Sequence, residues 1–134
     1  MTRGIRNNNP LNIRHGKSQW VGMAKEQTDR AFVQFTERKY GYRAAFVLLK
    51  NYINRYGANT VTKIVERWAP AKDGNDTAGY IGFVCHTTGI GRYQPLCFED
   101  KAMMVEIVRS MAQMESAGIE DKGVLEEAYE EVWN

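Results

Sequence analysis

The sequence contains few cysteines, and this scarcity limits the kinds of site it can build. Only Cys85 and Cys97 occur in 134 residues, which is too few for a disulfide framework. We expect two buried thiols in preference to a single bridge, which an oxidising compartment would still allow. A zinc site made of both cysteines with His15 and His86 would lack any recognised ligand spacing. The sequence therefore predicts no metal site and indicates no cofactor.

Long apolar runs, repeats and linkers are also missing. No stretch approaches the roughly 20 apolar residues of a membrane-spanning helix, and the first residues show no signal peptide. We therefore expect synthesis in the cytoplasm, and any role outside it would need a carrier other than the first residues of the chain. The length fits one domain, residues 1–134, and the 43% hydrophobic content provides for a core.

Acidic residues are scarce in the first half of the chain and abundant at its end. Residues 1–72 hold 14 Lys or Arg but only 4 Asp or Glu, whereas residues 115–134 hold seven acids and one lysine. This asymmetry indicates either a basic surface for an anionic polymer or two ends that neutralise each other in the fold. We do not expect nucleic acid as the partner, because no nucleic-acid-binding motif accompanies the basic residues.

The spacing of apolar residues predicts about five helices and a mainly α fold. Their expected ranges are 40–56, from Asn59 or Thr60 to Pro70, from Thr77 as N-cap to Gly89 or Gly91, 99–115 with Ser116-Ala117-Gly118 as its end, and about 121–133. Residues 1–36 are irregular, and Trp20-Val21-Gly22 with residues 31–35 would allow a small hairpin. The helix at 99–115 has the clearest apolar stripe, made by Met103, Met104, Ile107, Val108, Met111 and Met114.

Glu115 is the carboxylate that these patterns single out. It follows the apolar stripe at the C-terminal end of its helix, where low-dielectric surface and the helix dipole both favour the protonated carboxyl. A general acid for a glycosidic bond must hold its proton at neutral pH. The alternative is an ordinary exposed glutamate in a last helical turn.

The N-terminal segment is rich in asparagine, with Asn7, Asn8, Asn9 and Asn12 within six residues. Such a run is incompatible with a regular helix or strand, because the amide side chains compete for the backbone. Amides donate and accept hydrogen bonds and so suit the N-acetyl and hydroxyl groups of sugars, while Trp20 offers a stacking surface and Arg14 a cation. A purely structural turn network is the alternative.

Many spaced motifs between residues 3 and 116 resemble a family found in phages and prophages, whose members are labelled virion structural or peptidoglycan-degrading proteins. The resemblance rests on residues 3–14, Trp20-Val21-Gly22, Gly41-Tyr42-Arg43-Ala44, Arg67-Trp68-Ala69-Pro70 and residues 75–81. It implies peptidoglycan and other virion proteins as partners.

A more distant resemblance concerns chemistry. Residues 9–14 with Trp20-Val21-Gly22 and Phe32 are similar to a motif series of cell-wall glucosaminidases, although Asn12 replaces a glycine there. Residues 75–84 resemble a segment of lytic transglycosylases whose tyrosine lines the active site, which here is Tyr80. The resemblance implies a lysozyme-like (α+β) fold. Asp76 lies near the start of this segment and is a candidate for substrate binding. Asp76, Asp73 and Glu37 are also candidates for a second catalytic carboxylate.

The order of the motifs differs from both enzyme families. There a Glu-Ser pair ends an apolar helix that precedes the other motifs, whereas the only such pair here, Glu115-Ser116, follows all of them. We infer a circular permutation, which is physically cheap because the chain ends of compact domains often lie close together. The expected function is cleavage of peptidoglycan glycan strands with Glu115 and Tyr80 as catalytic residues. The alternative is a non-catalytic peptidoglycan-binding or virion protein of the same fold.

Overall fold

The computed structural model describes residues 1–117 and 121–133, without the side chain of Trp133. Gly118, expected at the end of the helix at 99–115, and the side chain of Trp133, in the helix expected at about 121–133, lie outside this description. Six α-helices occur within it: α1 Arg3–Arg6, α2 Arg38–Tyr56, α3 Val61–Trp68, α4 Thr77–Thr88, α5 Lys101–Ser116 and α6 Lys122–Trp133, with a 3₁₀ turn at Ala71–Asp73. The mainly helical class is therefore confirmed.

Side-chain caps fix where three helices begin. The oxygens of Thr60, Asp76 and Asp100 accept hydrogen bonds from backbone N–H groups in the first turns of α3, α4 and α5, as N-cap residues do. The expectation that Thr77 caps α4 is wrong by one residue. Its hydroxyl instead donates to the carbonyl of Ala69 at 2.6 Å, which ties the start of α4 to the end of α3.

The expected hairpin is not formed. Within the described chain, residues 1–36 contain the short helix α1, which is too short to produce a period in the sequence, and two isolated bridges, Arg14 with Phe32 and Met23 with Phe35. Two backbone hydrogen bonds still join the segments, from the Ala24 N–H to the Gln34 carbonyl and from the Thr36 N–H to the Gly22 carbonyl, at 2.9 Å each. Gln27 Nε2 adds hydrogen bonds to the carbonyls of Ala24 and Gln34 at 2.8 Å each, so an amide side chain reinforces this short contact.

Helix α5 lies at the centre of the core and packs against α1, α2, α4 and α6. Its residues Met104, Ile107, Val108 and Met111 are buried, as the apolar stripe predicted. Met114 at the end of the stripe is 38% exposed, and Tyr56, the last residue of α2, is 57% exposed. Both lie in the last turn of their helices, where the core ends.

Charge pairing between α2 and α6 accounts for part of the uneven charge distribution. Lys39 lies 2.8 Å from Glu131, Arg43 lies 3.8 Å from the same carboxylate, and Arg38 lies 2.9 Å from Asp121. The basic start of α2 and the acidic last helix therefore neutralise each other across the fold, as one of the two interpretations expected.

The cysteines differ from expectation in their burial. Both are free thiols, but Cys97 is exposed and Cys85 is only partly buried. The expectation of two buried thiols is therefore wrong for Cys97, which lies in the loop before α5 and outside the core. Among the described helices, none combines the length and apolarity needed to cross a bilayer.

Candidate functional site

A cleft of about 450 Å³ opens between the N-terminal loops, α2 and the end of α3. Four aromatic rings and several polar side chains share its walls, and the Glu115 carboxyl reaches it from the last turn of α5. The side chains and backbone that line it belong to Leu11, Asn12, Ile13, Arg14, Gly16, Ser18, Trp20, Phe32, Leu48, Tyr52, Trp68, Ala69, Asp73, Asn75 and Glu115. A concave site that combines aromatic surface with converging polar groups suits a ligand that has both apolar faces and hydrogen-bonding groups.

Three side chains donate hydrogen bonds to the Glu115 carboxyl. The Tyr80 hydroxyl and the Trp68 Nε1–H reach Oε2 at 3.1 and 3.3 Å, and Asn12 Nδ2 reaches Oε1 at 3.2 Å. These donors come from α4, the end of α3 and the N-terminal loop. The carboxyl is thus held in one orientation by three separate parts of the chain.

Tyr80 lies beneath the carboxyl and is only 5% exposed. Burial raises the pKa of its hydroxyl far above the ordinary value, and the negative charge of Glu115 and the hydrogen bond to it act in the same direction. The group therefore remains a neutral hydrogen-bond donor at physiological pH. The expected proximity of Glu115 and Tyr80 is present as a direct contact.

Asn12 is held in a strained backbone conformation next to Glu115. Its φ is 53°, in the left-handed region that asparagine tolerates better than most residues. Nδ2 also donates to the Glu115 backbone carbonyl at 3.3 Å. The Oδ1 atom is buried and has no hydrogen-bond partner within the described part of the chain. The departure from glycine that the sequence showed at this position therefore supplies a contact to the candidate acid.

The N-terminal segment packs directly on the end of α5. Ser116 Oγ donates to the carbonyl of Pro10 at 2.8 Å. A Cβ on Gly4 would lie 2.0 Å from Ser116 Oγ. The close packing of α1 against the end of α5 therefore requires glycine at this position. The Glu-Ser pair and the asparagine-rich motif are thus adjacent in space, although more than 100 residues separate them in sequence.

Three of the expected substrate-binding asparagines serve the fold and do not reach the cleft. Asn9 is fully buried, and its amide bonds the backbone of Ile13 and the carbonyl of Val33. Asn7 donates to Asp29 at 3.0 Å, and Asn8 donates to the carbonyl of Phe35 at 3.2 Å. These hydrogen bonds are the kind that a structural turn network makes, and Asn7, Asn8 and Asn9 do not line the cleft. Their role in substrate binding stays a prediction.

Asp76 likewise has a structural role, because its carboxylate caps α4 through the Gly79 N–H at 3.0 Å. Of the other carboxylates considered, Asp73 lines the cleft, whereas Glu37 lines a different depression on the surface. Arg14 and Trp20 do line the cleft, as expected.

Sequence reasoning missed two aromatic members of the site, Trp68 and Tyr52. Trp68 belongs to a motif that was recognised, but nothing in its spacing indicated a contact with Glu115. Tyr52 belongs to the predicted helix at 40–56 and packs against the core, and its ring also lines the cleft and meets Trp68 edge-on at 6.2 Å between centroids.

Comparison with known proteins supports a link to phages and leaves the chemistry open. No family model matches the chain. The chain is similar to Protein P5 of Pseudoalteromonas phage PM2, with 43% identity over 97 residues that cover 70% of this chain and 60% of that protein. The chain therefore spans less than two thirds of the length of the relative it matches.

Proposed function

We propose that the protein cleaves the β-1,4-linked glycan strand of peptidoglycan, with Glu115 as the general acid and Tyr80 as its hydrogen-bonding partner. The observation that carries the proposal is the Glu115 carboxyl on the wall of an aromatic cleft, fixed by Tyr80, Trp68 and Asn12. Aromatic walls suit the faces of sugar rings, and a fixed carboxyl suits proton transfer to a glycosidic oxygen.

In the proposed reaction Glu115 gives its proton to the oxygen that links two sugars. The C1–O bond breaks, its electron pair stays with that oxygen, and positive charge develops on the ring. A hydroxyl or the acetamido group of the same sugar then bonds to C1, so that no second carboxylate is needed. With a hydroxyl, its proton passes to the Glu115 carboxylate and an anhydro product results; with the acetamido group, water completes hydrolysis and the product has a reducing end.

The surroundings of Glu115 suit both of its protonation states. After proton transfer, three donors stabilise the carboxylate, and hydrogen bonds to an ionised acceptor are among the stronger ones. When the carboxyl carries its proton, the Tyr80 hydroxyl oxygen at 3.1 Å is placed to accept a hydrogen bond from it, since a phenol can both donate and accept.

We further propose that the domain is a circularly permuted member of the lysozyme-like class. The support is the packing of the Glu-Ser pair on the asparagine-rich motif through Ser116, Pro10 and the close approach of Gly4. In the unpermuted order a catalytic helix leads into that motif, so the two segments must be neighbours in either arrangement. The similarity to a phage protein agrees with a role in a phage life cycle.

A non-catalytic glycan-binding or virion protein of the same fold is the second candidate. One observation favours it: every side chain that bonds the Glu115 carboxyl donates to it. A carboxylate in such a setting can act as a structural acceptor that joins α5 to α3, α4 and the N-terminal loop.

Incubation with purified bacterial cell walls, followed by mass spectrometry of the soluble fraction, separates the two candidates. The proposed enzyme releases disaccharide fragments with either a reducing or an anhydro end, and the Glu115→Gln protein binds the walls without releasing them. If the unaltered protein binds walls and releases no fragments, the non-catalytic candidate is correct.

A further inference from the structure

Two arginines beside the cleft are held by aromatic rings and not by carboxylates. The Arg14 guanidinium lies 4.9 Å from the ring centre of Phe32. The Arg67 guanidinium lies 5.4 Å from the ring of Tyr52 and 3.9 Å from that of Tyr56. Within residues 1–117 and 121–133, neither arginine has an acidic partner.

Arg3 shows the contrasting arrangement in the same neighbourhood. It also lies over the Phe32 ring, at 4.5 Å, but both oxygens of Asp29 accept hydrogen bonds from it at 2.6 and 2.7 Å. Its charge and its donor groups are therefore already used. The charges of Arg14 and Arg67 are not compensated in this way, and both side chains are exposed.

Contact with a ring face orients a guanidinium while leaving its N–H edge free. That edge matches a carboxylate, which it can bind through two parallel hydrogen bonds. Arg14 belongs to the N-terminal wall of the cleft, and Arg67 rests on Tyr52, which lines the α2 wall. Glu115 and Asp73 are the acids that line the cleft within the described chain, and Glu115 is engaged by its three donors.

We propose that Arg14 and Arg67 bind carboxylates of the glycan strand, so that the cleft selects acidic peptidoglycan over neutral polymers of N-acetylglucosamine. This inference rests on the proposed function. Every muramic acid of a glycan strand carries a lactyl group, which is a free carboxylate on peptide-free strands and an amide to an acidic stem peptide otherwise. The ligand group is a carboxylate in both cases. Arg14 lines the cleft, whereas Arg67 lies outside its lining, against Tyr52 and Tyr56, and two separate guanidinium groups suit a polymer that repeats the carboxylate.

Calorimetric titration of the Glu115→Gln protein tests the proposal without cleavage of the ligand. The probes are three oligosaccharides of equal length: alternating N-acetylglucosamine and N-acetylmuramic acid without peptides, the same glycan with stem peptides, and N-acetylglucosamine alone. We expect tighter binding of an acidic glycan than of the neutral one. Adding Arg14→Gln or Arg67→Gln should weaken that binding on the order of fivefold, the upper scale of an exposed ion pair, with little change for the neutral glycan.

Arg92→Gln is the matched control, because Arg92 is exposed, does not line the cleft and contributes the same charge. If Arg14→Gln or Arg67→Gln weakens binding of the peptide-free glycan alone, the lactyl carboxylate is the group that the arginines bind. If binding of the peptide-bearing glycan alone is weakened, the group belongs to the stem peptide. Added salt should reduce the preference.

The proposal would be overturned if acidic and neutral glycans bound equally well, or if no probe bound. It would also be overturned if Arg92→Gln weakened binding of the acidic glycans as much as Arg14→Gln or Arg67→Gln does. Release of fragments from cell walls is measured separately on the protein with Glu115 intact. The proposed function can therefore hold while this inference fails.

Discussion

At the scale of single residues, the proposed proton transfer depends on which neighbours of Glu115 can donate a hydrogen bond to its carboxyl and which can accept one from it. Trp68 can only donate, whereas the Tyr80 hydroxyl can either donate or accept. Tyr80 can therefore follow a change in the protonation of the carboxyl by reversing its hydrogen bond. Trp68 and the Asn12 amide, which donates in the structure, fix the position of the carboxyl and favour the charge left after proton transfer.

Tyr80→Phe tests the contribution of one of these donors. The change removes the hydroxyl that lies 3.1 Å from Glu115 Oε2 and keeps the ring in the core. Losing a hydrogen bond to a charged group costs about 1.5 to 3 kcal/mol, so initial rates of fragment release should fall by roughly ten- to a hundredfold. Tyr129→Phe is the control, because it also removes a buried hydroxyl, bonded to the Phe98 carbonyl at 2.6 Å. It should lower the melting temperature and leave the cleavage rate of the remaining folded protein unchanged.

Asp29 makes the N-terminal region sensitive to acid. The hydrogen bond from Arg3 lowers the pKa of Asp29 most, and N–H groups of Phe32, Asn7 and Ala31 act in the same direction. Because the folded pKa is depressed, the contribution to stability is complete above the unfolded value of about 3.9 and is lost as the pH falls below it.

Asp29→Asn should therefore lower the melting temperature at neutral pH, and its difference from the unaltered protein should shrink below about pH 4. Thermal unfolding from pH 2 to pH 7 measures this, with Asp73→Asn as the control at an exposed carboxyl. A difference that stays constant over the whole range would show that the charge of Asp29 is not what stabilises this region.

At the scale of elements, α5 connects the core to the site. Its buried residues fix the rotation of the helix, and that rotation sets where Glu115 emerges in the last turn. Helices α4 and α6 pack on it directly, so a shift of α5 would separate Glu115 from Tyr80.

Met104→Asp tests this central position. Met104 is completely buried, and a buried unpaired charge is too costly for a domain of ordinary stability. We expect loss of the cooperative thermal transition in circular dichroism. Met114→Asp introduces the same charge on the same helix at a residue that is 38% exposed, and should keep the fold. Equal melting temperatures for both variants would contradict the assigned register.

At the scale of the whole molecule, the five longer described helices could be predicted from the sequence because apolar periodicity is local, and the α5 stripe is an example. Capping was predicted less well: Thr60 caps α3 as one of two candidates, but Asp76 and not Thr77 caps α4. The roles of Asn7, Asn8 and Asn9 could not be predicted, because an amide that binds sugar and an amide that binds backbone have the same sequence signal. The contact of Trp68 with Glu115 was also out of reach, since it joins residues 47 apart through the packing of α3 against the rest of the domain.

The inferred permutation predicts that a rearranged chain folds. Moving residues 97–134 ahead of residue 1 through a short linker cuts the loop between α4 and α5 next to exposed Cys97. We expect a monomer with the helical content and cooperative melting of the original chain. The control carries the same linker residues inserted between Leu96 and Cys97 in the original order. If the control folds and the rearranged chain does not fold with linkers of two lengths, the permutation is contradicted.

The measurement that tests the central claim most directly is the rate at which soluble glycan fragments leave purified cell walls, compared for the unaltered protein, Glu115→Gln and Glu106→Gln. Glu106 is the matched control, because it lies on the same helix and pairs with Arg109 at 3.6 Å outside the cleft. We predict a fall at least on the order of a hundredfold for Glu115→Gln, the scale of losing a general acid. Its melting temperature should be unchanged or raised, since an active-site acid is often held at a cost in stability. Glu106→Gln should keep the full rate. Equal fragment release by all three proteins, or none from the unaltered protein, would contradict the assignment of Glu115 as the general acid.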